Sequence, residues 1–245
     1  MINEIKVDDN EYKLMYEVEE THWWYSGLRD VLYYWIKKLN VKKILDAGCG
    51  TGINMYYLVK SGYEVKGIDV SDQALEFCKS RGLNNVEKAY IQNIPLNDQS
   101  VDCVYSMDVI AMLPIEDVVK AFNEISRVLK PKGYLILNTA ALMQLYSSHD
   151  IAWHVKHRYT KSELEKLLIV ADYKIIFSTY RIFLMFPAVA LIKLLEKTKT
   201  QSDIDKTNRA INLLLSPIMK IEFYLQKIVS LPIGSSLFVV AQKNK

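Results

Sequence analysis

Residues 43–52 read Lys-Ile-Leu-Asp-Ala-Gly-Cys-Gly-Thr-Gly. An apolar run ends in an acid, three alternating glycines follow, and a helix-forming stretch begins at once. This pattern is a strand entering a tight loop and then a helix. Glycines in such a loop let the backbone turn sharply and approach a ligand closely, because no Cβ intervenes. The first turn of the following helix presents N–H groups that have no intrahelical partner. Gly48, Gly50 and Gly52 give G-x-G-x-G, whereas a dinucleotide loop is G-x-G-x-x-G; Ile53 stands where its last glycine would be.

Outward from this loop, short apolar runs alternate with helical segments. Strands are predicted over residues 43–46, 64–69, 86–91, 101–106, 134–137, 173–180 and 236–242. Helices are predicted over 52–61, 71–81 with Ser71 as N-cap, 115–129, and 160–171, where Thr160 and Glu163 form a capping box. The alternation predicts an α/β fold: a doubly wound, Rossmann-like sheet of seven strands, with ligand at the carboxyl ends of the strands. Val31, Leu32, Trp35, Ile36 and Leu39 recur at helical spacing. Residues 1–40 are therefore a helical lead-in and 41–180 the α/β core. Residues 181–232 break the rhythm and form a helical insertion, and 233–245 return as the final strand of the core.

The chain has 245 residues, half of them apolar, and a net charge of only +3 with scattered basic residues. Proteins that bind nucleic acid concentrate their basic residues on one face, so nucleic acid is not the expected partner. Cys49, Cys78 and Cys103 lack C-x-x-C spacing and read as reduced thiols of a cytoplasmic protein, not as a metal site. The first twenty residues are polar and acidic, without the apolar core of a secretory signal. The longest apolar run, Ile182 to Ile192, contains Pro187 and is shorter than the roughly 20 residues that a spanning helix needs. The insertion has two readings. It caps an acceptor pocket with an apolar wall, which is the favoured one, or it touches the inner face of a membrane through Lys193, Lys197, Lys199, Lys220 and Lys227.

Asp46 would meet a pyrophosphate with negative charge, but it suits a ligand with a positive amine. S-adenosylmethionine carries an ammonium and a sulfonium and has no phosphate. Asp69 ends the second strand, placed to accept both ribose hydroxyls. Val70 could cover one face of the adenine, Gln92, Asn93 and Ile94 could read its edge, and Met107 and Asp108 would face the methionine end. At this point the chain resembles the class I S-adenosylmethionine-dependent methyltransferases, over roughly residues 41–180. The matching blocks are Ile44 to Gly52, Val65 to Ser71, Asp102 to Leu113 and Ile125 to Leu137. The resemblance implies that Asp46, Gly48, Cys49 and Gly50 hold the methionine end and Asp69 the ribose, with the loop after the third strand reading adenine. In that loop the family commonly places Asp before a small residue, where this chain has Tyr90 and Ile91 and then Gln92. Residues 21–29 and 149–160 resemble a narrower group, often encoded beside enzymes of glycan or natural-product assembly.

Methyl transfer from a sulfonium is an in-line displacement, helped by holding the reacting atoms in line. A base is needed only where the acceptor has a proton to lose. Residues 147–154 hold two of the four histidines. His149 or His154 is the candidate base, with Asp150 orienting it; the alternative is a loop that merely closes the pocket. His157, Arg158 and Tyr159 read as structural. Tyr25 and Arg29 either fold over the carboxylate end of the cofactor, or belong to a segment whose tryptophans anchor a helix. The expected activity is methyl transfer to an oxygen or nitrogen of a small, hydrophobic or amphipathic acceptor: a natural-product, lipid-, glycan- or peptide-linked intermediate. The alternative is a non-catalytic S-adenosylmethionine-binding partner. A nicotinamide oxidoreductase is disfavoured by Ile53 and Asp46.

Overall fold

A computed structural model describes residues 9–195 and 209–245. Lys43–Ala47 (β1), Glu64–Asp69 (β2), Val86–Lys88 (β3), Val101–Met107 (β4), Leu129–Ala140 (β5), Tyr173–Arg181 (β6) and Ser236–Lys243 (β7) form one sheet in the order β3-β2-β1-β4-β5-β7-β6. The pairs from β3 through to β5 are parallel. β7 inserts antiparallel between β5 and β6. The order reverses beside β1, where a parallel sheet opens a crevice for ligand.

The lead-in is two helices, Asp9–Val18 (α1) and Trp23–Leu39 (α2). Ile53–Lys60 (α3), Asp72–Ser80 (α4), Ile115–Val128 (α5), Ser148–Ala152 (α6) and Lys161–Val170 (α7) follow in the core. One face of the sheet buries Phe122 and Ile125 of α5 and Leu164 and Leu168 of α7 against Leu135, Leu137 and Val239. The other buries Val31 and Trp35 of α2, Met55 and Leu58 of α3 and Cys78 of α4 against Ile44, Tyr105 and Phe238. Helix starts are set locally. The Ser71 hydroxyl accepts from the Ala74 N–H, and Thr160 and Glu163 cap each other's backbone donors.

Two strands differ from their predicted spans by more than one residue. β3 stops at Lys88, because a tight turn bridging Tyr90 and Asn93 takes over. β5 begins at Leu129, because Val101 pairs with Leu129 and a register shift before Cys103 absorbs Pro131 and Lys132, the latter at φ 62°. The insertion is Phe186–Leu195 (α8) and Arg209–Gln226 (α9), and α9 packs along α2.

The segment between β5 and α7 is fastened by a buried guanidinium. Arg158 donates to the carbonyls of Ala141 and Ser235, each at 2.9 Å, and to the Asp150 carboxylate at 2.6 Å. Both members of the pair are nearly inaccessible. Removing one partner of a buried pair strands the other charge. Arg158→Met is therefore expected to cost about 3–5 kcal/mol in urea unfolding. Adding Asp150→Asn to it should cost much less than the two single losses together, and strict additivity would contradict the pairing.

Candidate functional site

The glycine loop is pinned to β2. The Gly48 and Cys49 N–H groups both donate to the Ile68 carbonyl, at 2.8 and 2.9 Å. The Asp69 carboxylate accepts from Gly50 N at 2.8 Å and from Ser71 N at 2.9 Å. Gly48 has φ +87°, and a Cβ there would lie 2.1 Å from Val109 Cγ2, so only glycine fits. Gly52, at φ 82°, starts α3 without a side-chain cap. Cys49 is buried and packs its sulfur 3.9 Å from Cys78.

Asp46 is almost wholly buried at the head of this loop, and its carboxylate accepts the Tyr105 hydroxyl at 2.7 Å. Burial, reinforced by the charge of Asp69, pushes its pKa up to about 8 against the pull of the Tyr105 bond. Such a group is stabilised by an incoming cation, and an ammonium meets that need. Val70 N is a third backbone donor to Asp69, and burial raises the pKa of this carboxyl against the pull of the three. Val70 is half-buried beside it.

The loop after β3 is braced from α5. Ile94 N donates to Glu124 at 3.0 Å, and the Ile94 carbonyl accepts from Arg127 at 2.8 Å. The Ile94 side chain is in the core. Both of its backbone groups are thus committed internally, which corrects its expected role in reading adenine. Asn93 is exposed and Gln92 half-buried.

Met107 ends β4 and Asp108 follows it, and both are half-buried. Asp108 has φ 63° and is gripped by Asn138, whose amide reaches both carboxylate oxygens at 2.9 and 2.8 Å. The Asn138 carbonyl in turn accepts from Arg181 at 3.1 Å. Burial pushes Asp108 up to about 6, against the pull of Asn138, Arg181 and Arg158. Tyr25 faces this group: burial, with the charges of Glu19, Asp108 and Glu11, raises its phenol well above the usual range.

α1 lies over the loop. The Glu19 carboxylate is buried and bonds the Thr51 hydroxyl and, at 2.6 Å, Arg81. Tyr16 stacks on Phe77 of α4 at 4.5 Å. Arg29 does not reach into the crevice. Its guanidinium donates to the Glu19 and Glu20 carbonyls, both at 2.8 Å, and so ties α1 to α2. That corrects its expected contact with the cofactor carboxylate: carbonyls at the end of α1, lacking intrahelical donors, capture it. Glu19, Arg81, Asn138 and Arg181 were missed because none lies in a motif. The available signal was a charged residue, Arg181, closing an apolar strand.

The structure does not bring His149, Asp150 and His154 together as a catalytic set. Asp150 caps its own helix through Ser147 N at 2.8 Å and pairs with Arg158, so its oxygens are spent on structure and do not orient a histidine. His154 is exposed at φ 53° and lines an open pocket of about 420 Å³ with Met143, Tyr146, Ile151, Val155 and Lys156. His149 turns inward beside Trp153, and its Nδ1 is buried with no hydrogen-bond partner. Burial and the nearby Lys193 lower its pKa to about 4, so it is neutral near pH 7.

Asp46 supplies a pH test. Below about pH 8 its carboxyl is protonated in the free protein, and a bound ammonium favours the ionised form, so binding releases a proton. The affinity for S-adenosylhomocysteine should rise with pH between 6 and 8, by at most about tenfold per unit. Calorimetry on Asp46→Asn should show weak binding without this slope.

Residues 45–137 match the family model described as a methyltransferase domain. The chain is 39% identical over 104 residues to an uncharacterized methyltransferase, YodH, of Bacillus subtilis, covering 40% of this chain and 43% of that protein. It is 31% identical over 108 residues to a ubiquinone biosynthesis O-methyltransferase of Haemophilus ducreyi, covering 40% and 45%. The chain thus spans less than half the length of these curated relatives. A solved S-adenosylmethionine-dependent methyltransferase from Aquifex aeolicus superposes with a TM-score of 0.54 at 25% identity, covering 71% of this chain and 93% of that one. The pinned glycine loop with its acid, the switch point beside β1 and these matches together make the core a class I S-adenosylmethionine-dependent methyltransferase domain.

Proposed function

We propose that the chain transfers a methyl group from S-adenosylmethionine to an oxygen or nitrogen of a small, hydrophobic or amphipathic acceptor, such as a lipid-, glycan- or peptide-linked natural-product intermediate. The observation that carries this reading is Asp46, buried at the head of the pinned loop with Tyr105 and Asp69 around it. Asp69 beside it adds a second buried carboxylate, and the pair suits a cofactor that carries an ammonium and a sulfonium. When bound, S-adenosylmethionine supplies a methyl group on a good leaving group. Asp46 with the backbone of Gly48 to Gly50 holds its methionine end, Asp69 its ribose, and Val70 and Gln92 its adenine.

The chain's own part in the chemistry is to place the acceptor and take its proton. Asp108 suits that role better than the histidines. Its carboxyl, at about 6, is ionised near neutrality yet more basic than an ordinary carboxylate. Asn138 and Arg181 fix its orientation. His149, neutral and with Nδ1 unpaired, offers the acceptor a hydrogen bond from the side of α6. Trp153 and Tyr12, edge to face at 6.1 Å, supply apolar wall.

Incubation with methyl-labelled S-adenosylmethionine, a lipid extract and a panel of amphipathic alcohols and amines tests the reading. It predicts labelled product in step with S-adenosylhomocysteine. Tight cofactor binding with no turnover on any of these would favour a non-catalytic binding protein. With an acceptor in hand, Asp108→Asn should lower kcat by about 10²–10⁴ and leave the cofactor dissociation constant unchanged. His149→Ala should act mainly on KM, and His154→Ala on neither.

A further inference from the structure

α9 is apolar on both of its sides: Leu215 and Ile218 pack inward with Met219, and a second apolar set faces outward. Its inward side carries Met219, Glu222 and Gln226, all buried. Met219 sits on Trp23, Trp24, Ile182 and Met185. Glu222 accepts from the backbone N–H groups of Ile182 and Leu184, and Gln226 bonds Glu222. The outward side carries Leu213, Leu214, Ile221 and Tyr224 at 69, 68, 57 and 63% exposure, and Ile228 just beyond the helix at 81%. Leu214, Ile221, Tyr224 and Ile228 follow one another at intervals of seven, three and four residues, with Leu213 beside them, and so form one stripe. Leu191 and Ile192 of α8, at 59 and 51%, add to the apolar surface of the insertion. An exposed apolar stripe of this kind marks an interaction site.

The charge around the stripe says what covers it. Lys220 and Lys227 are exposed along it, and the one acid of α9, Glu222, is buried on the opposite side. The Lys227 ammonium lies 4.0 Å from the ring centre of Phe223 and 4.6 Å from that of Tyr224. Lysine beside aromatic rings at the border of an aliphatic face is the composition of a lipid interface. A second copy of the chain docked by this stripe would bring two sets of lysines together with no acid of the stripe to meet them, since a two-fold contact opposes a patch to itself. An anionic lipid surface supplies the missing charge. Among the described residues no helix is long and apolar enough to cross a membrane.

We propose that the outward face of α8 and α9 docks flat on an anionic lipid bilayer. The inference stands apart from the identity of the acceptor. The experiment is co-sedimentation of the full chain with vesicles of phosphatidylcholine alone and of phosphatidylcholine mixed with phosphatidylglycerol. Binding should be strong only with phosphatidylglycerol and weaken as salt rises. A Lys220→Glu, Lys227→Glu variant should lose about tenfold or more in partitioning. A Leu213→Ser, Leu214→Ser, Ile221→Ser variant should lose binding, with its thermal melt and its affinity for S-adenosylhomocysteine unchanged. No sedimentation with phosphatidylglycerol, or equal binding by the serine variant, would overturn the proposal. So would a wild-type dimer in solution that the serine variant converts to monomer.

Discussion

Two acceptors at the end of β2, the Ile68 carbonyl and the Asp69 carboxylate, hold the glycine loop in place, and the rest of the site depends on that attachment. Three consecutive N–H groups, from Gly48 to Gly50, point at them. The loop therefore curls over the edge of the sheet, and positive φ at Gly48, Gly50 and Gly52 is the cost of that path. The same attachment fixes where Asp46 ends and where α3 begins. With the loop pinned, Asp46 is buried and Asp69 is both brace and prospective ribose ligand. α1 then finds a surface on which Glu19 meets Thr51 and Arg81.

A second order is set by groups that are buried for the sake of position. Arg181, fully buried, reaches Asn138, which holds both oxygens of Asp108. Glu222 of α9 holds the backbone where β6 leaves the sheet. Burying charge is costly unless each group finds a partner. These chains of contacts thus tie the ends of β4, β5 and β6 to the helical insertion. The inward polar residues of α9, Glu222 and Gln226, are spent on these contacts, while a second set of its aliphatic residues faces outward.

Much of this was legible in the sequence where the cause is local. The loop at residues 46–52 declares itself by composition and spacing. Ser71 and the Thr160–Glu163 box mark helix starts within four residues, and β2 falls on its predicted span. The failures share a physical reason, a partner far along the chain. Asp150 looked like the orienting acid of a histidine, but its fate is decided by Arg158 and its own helix start. Arg29 is captured by carbonyls at the end of α1. Ile94 is claimed by Glu124 and Arg127, some thirty residues away. β5 runs through a Pro-Lys-Gly stretch that reads as a turn, because pairing with β4 outweighs the local signal. Which apolar residues of α9 face inward is visible only when its neighbours are known.

The central claim is that one acid holds the amino end of the cofactor and a second, from the strand beside it, holds the ribose. A crystal structure with S-adenosylhomocysteine tests it directly. The account predicts the ligand ammonium within hydrogen-bond distance of Asp46, both ribose hydroxyls on Asp69, and Gly50 N still bonded to the Asp69 carboxylate. A ligand seated with its ribose away from Asp69, or with its carboxylate and not its ammonium toward Asp46, would contradict it.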